Sequence, residues 1–172
     1  MSVRVSPTVP TPTRAESNTE LINQSKIVNG MKQFVSKKYT FSLFYPYDWQ
    51  IIDQPNVNGI EIQKINNQGT GFSITIRILD NSQKLSLFNF AKDQSLSRPN
   101  GVIDEPQKIV VNTIEGYKLP YLPDGLLVNI FFDHKDGKIL NLFAGGEFDQ
   151  SSQTVTFYNQ VVNSVLHSFT IP

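Results

Sequence analysis

From Tyr39 onward apolar and polar residues take turns along the chain. Tyr39, Phe41, Leu43 and Tyr45 alternate with Thr40, Ser42 and Phe44, a period of two that predicts a strand ended by Pro46. Residues 59–65 (GIEIQKI) alternate again, and residues 66–71 (NNQGTG) have the composition of a turn. Phe72, Ile74, Ile76 and Ile78 then lie on one face of a strand, with Ser73, Thr75 and Arg77 on the other. The two runs predict an antiparallel hairpin. The period changes over residues 86–97, where Leu87, Phe90 and Ala91 share a helical stripe that Ser86 can cap and Pro99-Asn100-Gly101 stops. Strands are expected at 108–112, 114–121 and 126–133, followed by a turn at Asp136-Gly137. A further strand at 139–148 carries Gly145-Gly146 as a bulge or a close approach. Residues 153–169 form a helix with one wide stripe: Val155, Tyr158, Val161, Val162, Val165, Leu166 and Phe169. Ahead of all this, Leu21, Ile22, Ile27, Val28, Met31 and Phe34 suit a short helix broken at Asn29-Gly30.

This order makes the chain an α+β protein with a mainly antiparallel sheet of about six strands. Each amphipathic helix must bury its stripe and is expected to cover part of that sheet. A length of 172 residues suits one domain, placed at 20–172. Residues 1–19 differ in kind. Pro7, Pro10 and Pro12 stand among Thr, Val and Ser, which predicts an extended, solvated segment. That segment is a disordered tail or a stalk. The stalk reading expects a membrane anchor upstream and places the domain outside the cytoplasm. The chain itself has no run of 18 apolar residues, and residues 1–14 hold no apolar run of the signal-peptide kind.

Charge and residue inventory narrow the function. Fifteen Lys and Arg balance fifteen Asp and Glu, so the chain lacks the cationic surplus that nucleic acid demands. The absence of cysteine removes thiol nucleophiles, zinc ribbons and iron–sulfur clusters. No GxSxG elbow is present, and only His134 and His167 offer an imidazole. His134 is expected at a solvated turn tip and His167 near a helix end, where a cation suits the helix dipole. Asp133, His134 and Asp136 crowd one turn, but an EF-hand frame set on Gly137 puts Phe132 first and Phe143 last, so no metal site is assigned. Gly69-Thr70-Gly71 is too short to cradle a phosphate, and Lys37-Lys38 suits a solvated strand entry. No catalytic residue, metal or cofactor is assigned, and the chain is read as a non-enzyme. Aromatic residues concentrate at Tyr39, Phe41, Phe44, Tyr45, Tyr47 and Trp49. Most are expected in the core. Tyr45, Tyr47 and Trp49 are the candidates for a ligand or partner surface.

The stretch Tyr39-Thr-Phe-Ser-Leu-Phe-Tyr-Pro-Tyr-Asp-Trp49 is an alternating aromatic strand running into a Tyr-Pro-x-x-Trp corner. It resembles the opening of PsbP-family domains, which share a fold with the Ran-binding Mog proteins. The order of elements and the closing Ser168-Phe169-Thr170-Ile171 fit the same family over residues 36–172. The resemblance implies an α/β/α sandwich around an antiparallel sheet. It also implies a non-catalytic accessory role, which in plant and cyanobacterial members is that of an extrinsic lumenal subunit of photosystem II. The photosystem role is not carried over. No metal or docking motif of those members matches here, and residues 1–20 hold Arg4, Arg14, Glu16 and Glu20, which sum to zero. The expectation is therefore an accessory or binding domain resembling a bacterial PsbP-like protein and working through contacts with an unidentified protein. The alternative is a carrier of a small apolar ligand or lipid, with the aromatic cluster as its pocket.

Overall fold

The computed structural model describes residues 27–28, 30–64, 71–96, 99 and 101–171. The Pro/Thr-rich segment 1–19 and residues 66–70 of the turn expected at 66–71 lie outside them. Ten strands and two helices follow in order: β1 (Ile27–Val28), β2 (Met31–Ser36), β3 (Phe41–Pro46), β4 (Trp49–Gln54), β5 (Gly59–Lys64), β6 (Phe72–Leu79), α1 (Leu87–Asp93), β7 (Gln107–Val111), β8 (Ile114–Lys118), β9 (Leu126–Asp133), β10 (Ile139–Gly146) and α2 (Ser152–Ser168). Strands β1–β2–β3 make a small sheet. The large sheet runs β4-β5-β6-β10-β9-β8-β7. Every pairing in both is antiparallel. The fold is thus α+β around a large antiparallel sheet, as the alternation predicts.

The register explains the core. On β6 the buried Phe72, Ile74, Ile76 and Ile78 alternate with half-exposed neighbours. Ile74, Ile76 and Ile78 stand opposite Ala144, Leu142 and Leu140 of the central strand β10. The adjacent Phe131 and Phe132 of β9 point to opposite faces, so each face receives a phenylalanine. Phe132 joins the main core with Phe41, Trp49, Val162, Val165 and Phe169. Phe131 joins a smaller cluster with Ile139, Leu119 and the α1 residues Leu87, Phe90 and Ala91. Helix α1 is fixed at its start by the Ser86 hydroxyl, which accepts from the Asn89 N–H at 3.3 Å. Helix α2 starts likewise on Ser151, whose hydroxyl accepts from the Thr154 N–H at 3.4 Å. Its buried stripe is Val161, Val162, Val165 and Leu166.

Four expectations are corrected. Over its described part, the helix expected within 20–37 gives way to the hairpin β1–β2, while Leu21 and Ile22 lie outside the described residues. Val28 pairs with Met31, and Gly30 takes φ 75°. The 27, 28, 31, 34 spacing imitates a helical stripe, but pairing with β3 (Phe34 opposite Leu43) decides in favour of a strand. The first alternating strand is displaced by two residues. Tyr39 and Thr40 lie in the β2–β3 turn, where Thr40 has φ 51°. The large sheet has seven strands rather than about six, because Trp49–Gln54 is a strand and not merely a corner. Helix α1 ends at Asp93 and not near 97; the next position of its stripe is the polar, exposed Gln94, which caps it. The Gly145-Gly146 irregularity is present as expected, as a register shift between Ala144 and Gly145 against β9.

The Tyr-Pro-x-x-Trp corner has a structural task. It carries the chain from the small sheet, which ends at Pro46, to the large one, which begins at Trp49. The Tyr47 N–H donates to the Gly30 carbonyl at 3.0 Å, and the Lys32 ammonium donates to the Trp49 carbonyl at 3.1 Å.

Candidate functional site

The three aromatic candidates do not form one surface. Tyr45 is buried beneath Lys32, whose ammonium lies 5.2 Å from the ring centre, and burial raises its phenol pKa above the ordinary value. Trp49 is 1% exposed and meets Phe72 and Tyr158 edge-on at 6.1 and 6.5 Å. Tyr47 alone faces solvent, at 62%, in the turn between the sheets. Rings fill the space between α2 and the sheet against one another. Phe72 stacks on Tyr158 at 4.2 Å and Phe148 meets Tyr158 edge-on at 5.0 Å, which is core packing.

The histidines are tied to backbone. His134 Nε2 lies 3.1 Å from the Tyr39 carbonyl and 2.9 Å from the Thr40 hydroxyl. A carbonyl only accepts, so Nε2 carries the proton. His134 is half-buried, not at a solvated tip, because the β2–β3 turn rests on it. His167 Nδ1 donates to the Asn163 carbonyl one turn back, at 2.7 Å. Among the described residues no three of His, Asp and Glu converge as metal ligands. Lys38 is not simply a solvated entry residue. It pairs with Asp53 at 3.3 Å, and Asp53 also accepts from the Tyr39 hydroxyl at 2.6 Å.

The unusual chemistry lies on the face of the large sheet that α1 shares. Seven helical residues span about 10 Å, whereas an eight-residue strand spans about 26 Å. Helix α1 therefore covers only the end of that face, where Phe131, Ile139 and Leu79 lie beneath it. Beyond it the face continues through Arg77 and Thr75 of β6, Asn141 and Phe143 of β10, Asn129 of β9 and Glu61 of β5. Their registers put them side by side: Arg77 opposite Asn141, Asn141 opposite Phe131, and Thr75 opposite both Glu61 and Phe143. All are half-buried except Asn141, which is 0% exposed.

Asn141 organises this face. Its carbonyl accepts from Arg77 Nε at 2.9 Å, while its amide donates to Asn129 Oδ1 at 2.7 Å and to the Ile130 carbonyl at 3.0 Å. A polar side chain in the centre of an apolar sheet is costly unless it is bonded in this way. Asn141 locks Arg77 in turn. The guanidinium lies over the Phe143 ring, 5.0 Å from its centre, a cation–π arrangement. Burial lowers the Arg77 pKa from its ordinary value, yet a guanidinium stays charged in neutral solution. Only the Nε donor of the five guanidinium N–H groups has a partner among the described residues, and none of the ion pairs found there includes Arg77. Glu61, a diagonal neighbour, accepts instead from Gln54 at 2.9 Å. The residue opposite Arg77 on β5 is Gly59, where a Cβ would lie 2.3 Å from the Ile76 carbonyl oxygen and 2.8 Å from Arg77 Cα. The result is a fixed cation on an aromatic base, with a planar fork free to meet a carboxylate.

Sequence reasoning passed over this group. Two signals were present: an arginine at an outward position of an isoleucine-rich strand, and a lone asparagine inside the run Ile139-Leu-Asn-Leu-Phe143.

No family model matches the chain, and no curated protein matches it. Among solved structures it is similar to the solution structure of cyanobacterial PsbP (CyanoP) from Synechocystis sp. PCC 6803. The TM-score is 0.53 at 11% identity, and the likeness covers 86% of this chain and 95% of that one. That degree of likeness shows a PsbP-like fold.

Proposed function

We propose that this chain is a non-catalytic accessory domain of the PsbP-like kind, built as helices around a central sheet, which binds a protein partner through the open part of its large sheet. The observation that carries the reading is Arg77. It is held by Asn141 and stacked on Phe143, with most of its fork unengaged. Arginine and aromatic side chains are the usual anchors of protein interfaces, and a preorganised fork loses little entropy on meeting a carboxylate. The partner is accordingly a protein that presents an Asp or Glu beside an apolar contact for Phe143. Residues 1–19 act as the stalk that holds the domain outside the cytoplasm. The likeness to cyanobacterial PsbP supports an accessory role.

A photo-crosslinking amino acid at Thr75, in the middle of the open face, tests it in the native host. The same residue at Phe157, on the exposed side of α2, serves as the control. A discrete adduct formed from position 75 and not from 157 is the expected result. Adducts from 157 alone would overturn the reading.

A further inference from the structure

We propose that the cleft between α2 and the β7–β8 edge of the large sheet is a binding site for a small amphipathic carboxylate. The cleft holds about 260 Å³, just below the usual range for ligand pockets, which restricts it to one medium-length aliphatic chain or a single ring. Its floor is apolar, with Ile109, Val111 and Val128 on the sheet side and Val162 and Leu166 from α2. Lys118 projects into it from β8. In the register Lys118 stands opposite Ile130, which belongs to the main core, so its stem lies on the face that α2 covers. Asn159 and Asn163, one helical turn apart on α2, line the opposite wall.

The charges around the cleft decide the ligand. Lys118 is half-buried, and it takes part in none of the ion pairs found among the described residues, whereas Lys38, Lys64, Lys92, Lys108 and Lys138 each pair with a carboxylate. None of the lining residues is acidic. A half-buried cation facing an apolar floor, neutral amides and the His167 ring, with no carboxylate among them, is complementary to one anionic head on an apolar body. A single ammonium matches the single charge of a carboxylate and falls short of a dianionic phosphate. The site is also rigid. The Asn112 side chain, at the β7–β8 turn, donates to the His167 carbonyl and, at 3.2 Å, to the Phe169 carbonyl. That contact fastens the turn to the end of α2 and fixes the width of the cleft.

Titration of the full chain with sodium decanoate, followed by NMR of backbone and Asn side-chain amides, tests the assignment. Saturable shifts are expected at Asn159, Asn163 and residues 109–112. Decanol and decylammonium at equal concentration should give shifts at least tenfold weaker in affinity. Lys118→Gln should weaken decanoate binding about tenfold, and Lys118→Arg should retain it. Three results would overturn the assignment: no saturable shift, equal affinity for decanol, or decanoate binding unchanged in Lys118→Gln.

Discussion

Asn141 shows how one polar residue can be both a structural necessity and a means of presentation. Its amide meets three partners in the middle of the large sheet, and one of them is the guanidinium that faces outward. Replacing it by leucine would fill similar volume but leave Arg77 Nε, the Asn129 carbonyl and the Ile130 carbonyl without their bonds. A buried group that loses its partner costs about 1–3 kcal/mol. Arg77 and Asn129 are partly exposed and can turn to water, and the Ile130 carbonyl sits on a strand paired on both sides and keeps its ladder partner, so the cost falls at the low end of that range. Asn141→Leu is therefore expected to lower unfolding stability by about 1 kcal/mol in urea titration. An unchanged midpoint would mean that the network does not hold the sheet. Asn141 was legible only as an exception. A strand is expected at 139–148 and runs from Ile139 to Gly146, but nothing in a single sequence says that a lone asparagine in such a strand points to a polar neighbour rather than to water. The aromatic candidates failed for the converse reason. Tyr45 and Trp49 stand out in the sequence as large rings, and large rings are what cores are made of.

At the scale of elements, the runs with strict alternation were legible. Strand β6 and strand β9 lie where the pattern puts them, and the start of α1 follows its Ser86 cap. The elements misread were those whose pattern is decided by a distant partner. Strand β2 carries a helix-like spacing that pairing with β3 overrides, and β4 has apolar residues on both faces at the sheet edge. One contact between elements carries a pH dependence. The Tyr39 hydroxyl, in the β2–β3 turn, donates to Asp53 on the edge strand β4 at 2.6 Å. Burial, then the bond to Asp53, raises the Tyr39 pKa above its ordinary value of 10.0. The neutral phenol is thus the form the fold favours. Its contribution is complete below pH 10.0 and is lost as the pH rises through the higher folded value. Wild-type stability should fall with alkalinity above about pH 10, and Tyr39→Phe should be less stable at pH 8 with a shallower alkaline decline. Parallel declines for the two proteins would remove Tyr39 from the account.

For the whole molecule, the two helices divide the work unevenly. Helix α2 and the small sheet close the main core, and the chain end is fastened there, with Ser42 and Thr170 exchanging backbone bonds at 3.0 and 2.9 Å. Helix α1 is too short to close the other face, so a polar, ordered surface remains beyond it. The overall class was legible because alternation, turn chemistry and helix caps all agreed. The open face was not, because it depends on the length of α1 against the width of a sheet whose strand order no local pattern encodes. The balanced charge of the chain means that attraction to the partner has to come from local groups such as Arg77 and not from a long-range field.

The most direct test of the central claim compares capture of the crosslink-identified partner by the wild type, Arg77→Lys and Arg77→Ala, each checked for an unaltered melting profile. A desolvated arginine anchor is worth 2 kcal/mol or more, so Arg77→Ala should weaken binding by about thirtyfold or more. Arg77→Lys should recover only part of the loss, since it keeps the charge and lacks the fork. Equal affinity for all three proteins would contradict the assignment of the open sheet face as the docking surface.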